Sequence, residues 1–388
     1  MQESSGLDHN RGKAPAKAAI TTRTRWVSGQ LSSAECIWRD RQPWLEERGY
    51  TLRPRYRPDW IPSWKGTDIW SLMCEDGQIL IHHNVLDATR ISDGTVVMLK
   101  SIDSSIHPHE VEIAKTLCSE PLKSDTRNHC VPTIEVLQDP KEEAVSIIVM
   151  PFLQTYNEPR FQTIGEAVEF FRQALEGLQF MHENRIAHSD ISPFNIRLGP
   201  LPLYGPTLAH PSDARKTRDY RKWATPYTRT ERPTKYYYVD FGLSRRYNPN
   251  DEPPLELPVL GGDKSVPERQ GNGHVKLGDP FAADVYYLGS CILLEFLVKY
   301  SGLRFMYELV AGMTMSDPQE RLTIDQAVRR FAAVESELPR WQCRQRLVSR
   351  KEKETLLQRG FRGFGHLLRT TSYVLRGLPA VPTPAPLR

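Results

Sequence analysis

The spacing of hydrophobic and polar positions changes character along the chain. Between residues 71 and 153 the apolar positions gather in short β-like runs, at 79–82, 85–89 and 95–100, the last two joined by a turn at Ser92-Asp93-Gly94. Residues 110–117 break that pattern with helical spacing, and strands are expected again near 131–137 and 145–150. After Phe152 the rhythm turns helical. Thr163-Ile164-Gly165-Glu166 is a capping-box pattern, and Ala167, Phe170, Phe171, Ala174, Leu175, Leu178 and Met181 form one apolar stripe. A small β-rich part with one helix, followed by a larger helical part, predicts an α+β chain with two lobes.

Upstream, residues 1–25 show no hydrophobic period and read as a flexible tail. Residues 26–70 form an extension holding tryptophans 26, 38, 44, 60, 64 and 70. Ser33 is expected to cap a short helix there, Pro43 to interrupt or restart it, and residues 50–58 to be extended ahead of their prolines. Tryptophans mostly bury their large area, so this extension reads first as a packed one and second as a docking surface.

With 388 residues, 39% of them hydrophobic, the chain can bury a sizeable core. No membrane span is expected, because the apolar run at 288–294 soon meets Glu295 and reads as a buried helix. Six cysteines show no C-x-x-C spacing and the N-terminus no apolar leader pattern, so an intracellular, reducing setting is expected. The net charge of +4 is too mild to call for nucleic acid, but basic residues concentrate in two places. One is a proline-rich insertion at 198–234 with Arg215, Lys216, Arg218, Arg221, Lys222, Arg229 and Arg232. It reads as a solvated loop, or else as a binder of acidic substrate or nucleic acid. The other is the extension 338–388, whose Leu357, Phe361, Phe364 and Leu368 suggest an amphipathic helix. That helix packs back on the larger lobe or meets an acidic membrane or partner.

Chemistry concentrates in His188-Ser189-Asp190-Ile191-Ser192-Pro193-Phe194-Asn195 and, 45 residues past Asn195, Asp240-Phe241-Gly242. A carboxylate facing a hydroxyl, with a second carboxylate and a carboxamide to hold Mg2+ through oxygen, is the donor set that phosphoryl transfer from a magnesium nucleotide needs.

With these motifs the chain resembles the eukaryotic protein kinase superfamily and, within it, the kinase-like proteins numerous in mushroom-forming fungi. The narrower likeness rests on the W-L-E-E-R-G-Y-T-L-R-P-R-Y-R-P-D-W segment, the D-I-S-P-F-N loop and Y-Y-Y-V-D-F-G. The resemblance implies a two-lobed protein-kinase-like fold, with a small lobe at 71–153 and a larger lobe at 154–337. It implies ATP and Mg2+ as cofactors and a protein hydroxyl as substrate, Ser/Thr before Tyr. By position, Lys100 matches the lysine on the nucleotide's phosphates and Glu110 its helix partner, with Glu112 as competitor. Asp190 matches the catalytic aspartate, and Asn195 and Asp240 the metal ligands. Met150 and Leu153 fall on the adenine-binding hinge. His188 is implied to be packed, Asp284 to hold the catalytic loop, and Arg321 to pair with Glu268 of Val266-Pro267-Glu268.

Some positions depart from that pattern. No G-x-G-x-x-G precedes Lys100, Met98 stands where a small residue usually covers adenine, and Ser192 and Ser189 replace a lysine and an arginine. Pro151 interrupts the hinge. Two further readings follow: a pseudokinase scaffold, or a small-molecule phosphotransferase of the aminoglycoside-kinase type.

Overall fold

The computed structural model describes residues 29–205, 208–250, 254–259, 265–352 and 355–385. The expected tail and Trp26 lie outside them. These residues divide into two compact units, one of 29–83 together with 88–95, the other of 84–87 together with the described residues from 96 onward.

The first unit is built on α1, Ser33–Glu47. Its cap is Ser32, one residue before the expected Ser33: the Ser32 hydroxyl accepts from Glu35 N (3.2 Å) and Glu35 accepts from Ser32 N (2.8 Å). Pro43 does not interrupt the helix. It stands on an exposed side, where water can meet the carbonyl left without a donor. Glu35 also binds Arg55 (2.7 Å), and both side chains are fully enclosed. Burial alone would raise the Glu35 carboxyl; Arg55 and the capping bond hold it below its usual range. Trp38 donates to His83 O, and Trp60 to Asp76, while Trp70 stays exposed. Strand β1, Tyr50–Leu52, pairs antiparallel with residues 88–90 at the end of β2, Val85–Arg90. The strand expected at 79–82 is absent, since the amide of Leu80 turns to the Glu35 carboxylate and Ile79 and Ile81 face solvent.

In the second unit, β3 (Val96–Asp103), β4 (Glu135–Gln138) and β5 (Val145–Pro151) form antiparallel ladders in the order β3, β5, β4. The fourth strand starts later than expected because Val131 N is engaged by Tyr238 O (2.9 Å). Helix α2, Glu110–Leu117, buries Ala114 against Ile102 and Ile148.

The helical part centres on α3, Ile164–Glu183, whose expected stripe is buried. Thr163 caps it by accepting from Glu166 N, but the Glu166 carboxylate does not reach back. It accepts instead from Gln162 N, Thr230 N and the Thr230 hydroxyl. Helix α4, Pro280–Ile292, runs on through a π-turn at Leu293–Leu297, and Phe296 stacks on Phe170. Helix α5, Ile324–Glu337, capped by Thr323, packs on α3. Among the described residues, 280–297 is one helical stretch long and apolar enough to cross a bilayer, with 56% of it buried inside the fold, as in a core helix. Strands β6 (Gln154–Thr155), β7 (Ile186–Ala187), β8 (Ile196–Leu198), β11 (Tyr236–Tyr238) and β12 (Arg245–Arg246) form two small ladders around the motif stretches.

The basic insertion is more than a solvated loop. It contains the hairpin β9 (Ala209–His210) and β10 (Asp213–Thr217), and its Arg229 is buried, donating to Tyr236 Oη and Tyr156 O. The arrangement is a mixed α+β fold of the two-lobed, kinase-like kind.

Candidate active site

Alternation along β3 puts Val96, Met98 and Lys100 on one face. The Lys100 ammonium is buried and meets two carboxylates, Glu110 at the start of α2 and Asp240 Oδ1 at 2.7 Å. Glu112, the competing partner, is exposed. Burial pulls the Lys100 ammonium down, but Glu110 and Asp240 together carry it above its usual range. Asp240 is held below the usual carboxylate range, because the pull of Lys100 outweighs the upward effect of burial.

Asp240 itself takes a left-handed backbone (φ 68°) just past β11. Two residues on, the chain passes close to α2: His107 Nδ1–H donates to Gly242 O (2.9 Å), and a Cβ on Gly242 would stand 3.0 Å from that ring nitrogen. A side chain there would need the His107 ring to give by a few tenths of an ångström.

The loop between β7 and β8 is fixed from beneath. Asp284 of α4, fully buried, accepts from His188 N (2.7 Å) and Ser189 N (2.8 Å). His188 is enclosed. Its Nε2 donates to Val239 O and its Nδ1 accepts from Asp190 N, two bonds that together define the tautomer. Asn195 Nδ2 donates to both the carbonyl and the carboxylate of Asp190, each at 2.8 Å, which leaves the Asn195 amide oxygen as its remaining acceptor. Asp240, with its side chain 48% exposed, and Asn195 are oxygen donors of the kind hard Mg2+ prefers. Among the described residues no group of three or more His, Cys, Asp or Glu could hold a metal, so an ion here would take its remaining ligands from phosphate and water. The donor set fits Mg2+.

Met150 pairs across from Met98 in the β3–β5 ladder, and Met150 and Leu153 lie half-buried against the main core. The surroundings of this hinge contain residues that sequence motifs do not mark. The bond from Ser101 N to Asn84 O (2.8 Å) sets the register at the start of β2 and places Asp87 across from Met98, on the Lys100 face. Asp87 is buried and paired at 3.0 Å with Arg218 of the basic insertion. Leu208 of the same insertion packs with Val96 and Phe152, joined by Met98 and Tyr204. Alternation from Lys100 would have pointed to Asp87, but its partner lies too far along the chain to be read. Arg197, two residues past Asn195, was also missed. Burial lowers its guanidinium while the Asp240 charge opposes that shift.

Away from this cluster, Arg321 forks onto Glu268 (2.7 and 2.8 Å) and donates to Met315 O and Ala282 O, as the resemblance implied.

A buried lysine between two carboxylates, beside an Asp–Asn loop anchored by a helix aspartate, accords with the kinase-like fold. No family model matches the chain. Over 101 residues, 26% of its length, it is 32% identical to the serine/threonine-protein kinase CAK1 of Saccharomyces cerevisiae. The matched stretch spans 20% of that kinase.

Proposed function

We propose that the chain is an ATP-dependent protein kinase acting on Ser or Thr hydroxyls inside the cell. The observation that carries the reading is the meeting of Lys100, Glu110 and Asp240, three residues far apart in sequence, next to the Asp190–Asn195 pair. In this reading Lys100 holds nucleotide phosphate, and Asp240 and Asn195 hold Mg2+, which would supply charge neutralisation on the phosphates. Glu110 fixes the lysine. Asp190 orients the attacking hydroxyl and takes its proton, while Asn195 keeps that carboxylate in one rotamer. The likeness to CAK1, a serine/threonine-protein kinase, supports the substrate class. The Glu268–Arg321 fork favours a protein kinase over a small-molecule phosphotransferase, because the resemblance assigns that pair to the end of a protein-kinase activation segment.

The test is transfer of labelled γ-phosphate to a mixture of intracellular proteins. Wild type should label proteins, and Asp190→Asn should lose that activity by about a thousandfold, the scale on which acid–base groups act. Equal labelling by both would overturn the assignment of Asp190.

One observation favours a second reading, a nucleotide-impaired scaffold. The sheet face that would cover adenine, shared by Met98 of β3 and Asp87 of β2, carries a buried ion pair, Asp87–Arg218, and an apolar cluster with Leu208 and Tyr204. Base pockets are mostly apolar and open to ligand. This reading expects wild type and Asp190→Asn to behave alike in cells.

A further inference from the structure

The segment expected to form an amphipathic helix does form one, α6, Leu356–Leu375, capped by Thr355. Its orientation is the reverse of an ordinary surface helix. The side turned to the rest of the fold is polar: His366 donates to Arg344 O, Arg369 to Gln162 Oε1, and the Tyr373 hydroxyl bonds that of Thr228. Leu357, Phe361, Phe364, Leu368 and Leu375, at helical spacing on the other side, are all more than half exposed. This stripe runs about 27 Å along the helix axis.

We propose that α6 seats this unit on an anionic lipid bilayer, lying in the interface with the stripe toward the acyl chains. Charge selects that occupant. From residue 355 to the last residue there is no Asp or Glu, and the charged side chains are all arginines. Arg362, Arg369 and Arg376 fall seven residues apart along one flank of the stripe. Arg362 meets Glu352 (3.4 Å) and Arg376 meets Glu231 (3.2 Å), with side chains half exposed. Pairs of that kind are weak, and anionic headgroups compete with them directly. An apolar stripe of Phe and Leu beside arginines is the composition of helices that lie on membranes. The glycines point the same way. A Cβ on Gly360, Gly363 or Gly365 would meet nothing within 4 Å, so no close packing inside the fold requires them. They weaken the helix in water, and an interface that covers its stripe and favours internally bonded backbone offsets that.

The test is co-sedimentation of the full chain with phosphatidylcholine vesicles, with and without phosphatidylserine, read beside its oligomeric state by sedimentation velocity. The expected result is binding to phosphatidylserine vesicles that weakens as salt rises, and little binding to phosphatidylcholine alone. The double variant Phe361→Glu, Leu368→Glu should bind about tenfold more weakly or worse. Both positions are exposed, so its thermal unfolding should match wild type; Leu294→Glu, exposed elsewhere, should bind vesicles normally. The proposal fails if wild type does not sediment with anionic vesicles at low salt, or if the double variant binds as well as wild type. It also fails if wild type is a dimer that the double variant converts to monomer without vesicle binding, which would assign the stripe to a second copy of the chain. None of these outcomes depends on nucleotide chemistry.

Discussion

Lys100 sits between two carboxylates of different standing. Glu110 is buried with it, whereas Asp240 keeps a side chain 48% exposed. The first is a structural partner and the second remains open to ligand. Because the folded Asp240 carboxyl lies below its ordinary value, its contribution to stability is complete above about pH 4, the unfolded carboxylate range. It is lost as pH falls through the depressed folded value. Asp240→Asn should therefore unfold more easily than wild type at pH 7 by about 1 kcal/mol or less, since a half-exposed pair is screened. That gap should close in acid, as urea titrations at a series of pH values would reveal. A gap that persists below pH 3 would show that Asp240 does not act through its charge. At this scale the sequence was informative: the order of Asp190, Asn195 and Asp240 suggested one site, and the resemblance added Lys100 and Glu110 to it. His107, Asp87 and Arg197 were not legible, because their roles depend on which distant segment passes beside them.

Between elements, the Arg321–Glu268 fork joins the segment after α4 to the turn at Pro267–Arg269. Its guanidinium is fully enclosed and also serves two carbonyls, so removing it leaves several partly buried acceptors without their donor. Arg321→Ala should destabilise the fold by about 3 kcal/mol, and Arg321→Lys should recover part of that, since an ammonium cannot reproduce the bidentate geometry. Thermal unfolding of the three proteins decides it; equal midpoints would refute the anchoring role. Elements were legible where one face is buried along a regular stripe, as in α3. Residues 79–82 begin with a short apolar run like that of a strand, yet Glu35 supplies the bond that a neighbouring strand would have made. In α6 the period correctly predicted a helix with two faces. It could not say which face the fold would occupy, because hydrogen bonds from Tyr373, His366 and Arg369 outcompete apolar contact there.

For the molecule as a whole, the small and large parts of the kinase-like fold were expected from the switch in period near Phe152. The proline-rich insertion was not foreseen in its folded form, since its hairpin and its contacts through Arg218, Arg229 and Leu208 rest on pairings that no local pattern encodes. That insertion divides the two functional readings: Lys100, Asp240 and Asn195 are arranged for a magnesium nucleotide, while Asp87–Arg218 and the Leu208 cluster lie on the face that would receive its base. Thermal unfolding of wild type and Asp240→Asn with ATP, in the presence and absence of Mg2+, tests this most directly. A ligand at about 100 times its dissociation constant stabilises by about 2.7 kcal/mol, a shift readily seen in the midpoint. The kinase reading predicts that wild type gains stability with Mg2+ and ATP together and that Asp240→Asn does not. No response of either protein at millimolar nucleotide would contradict it.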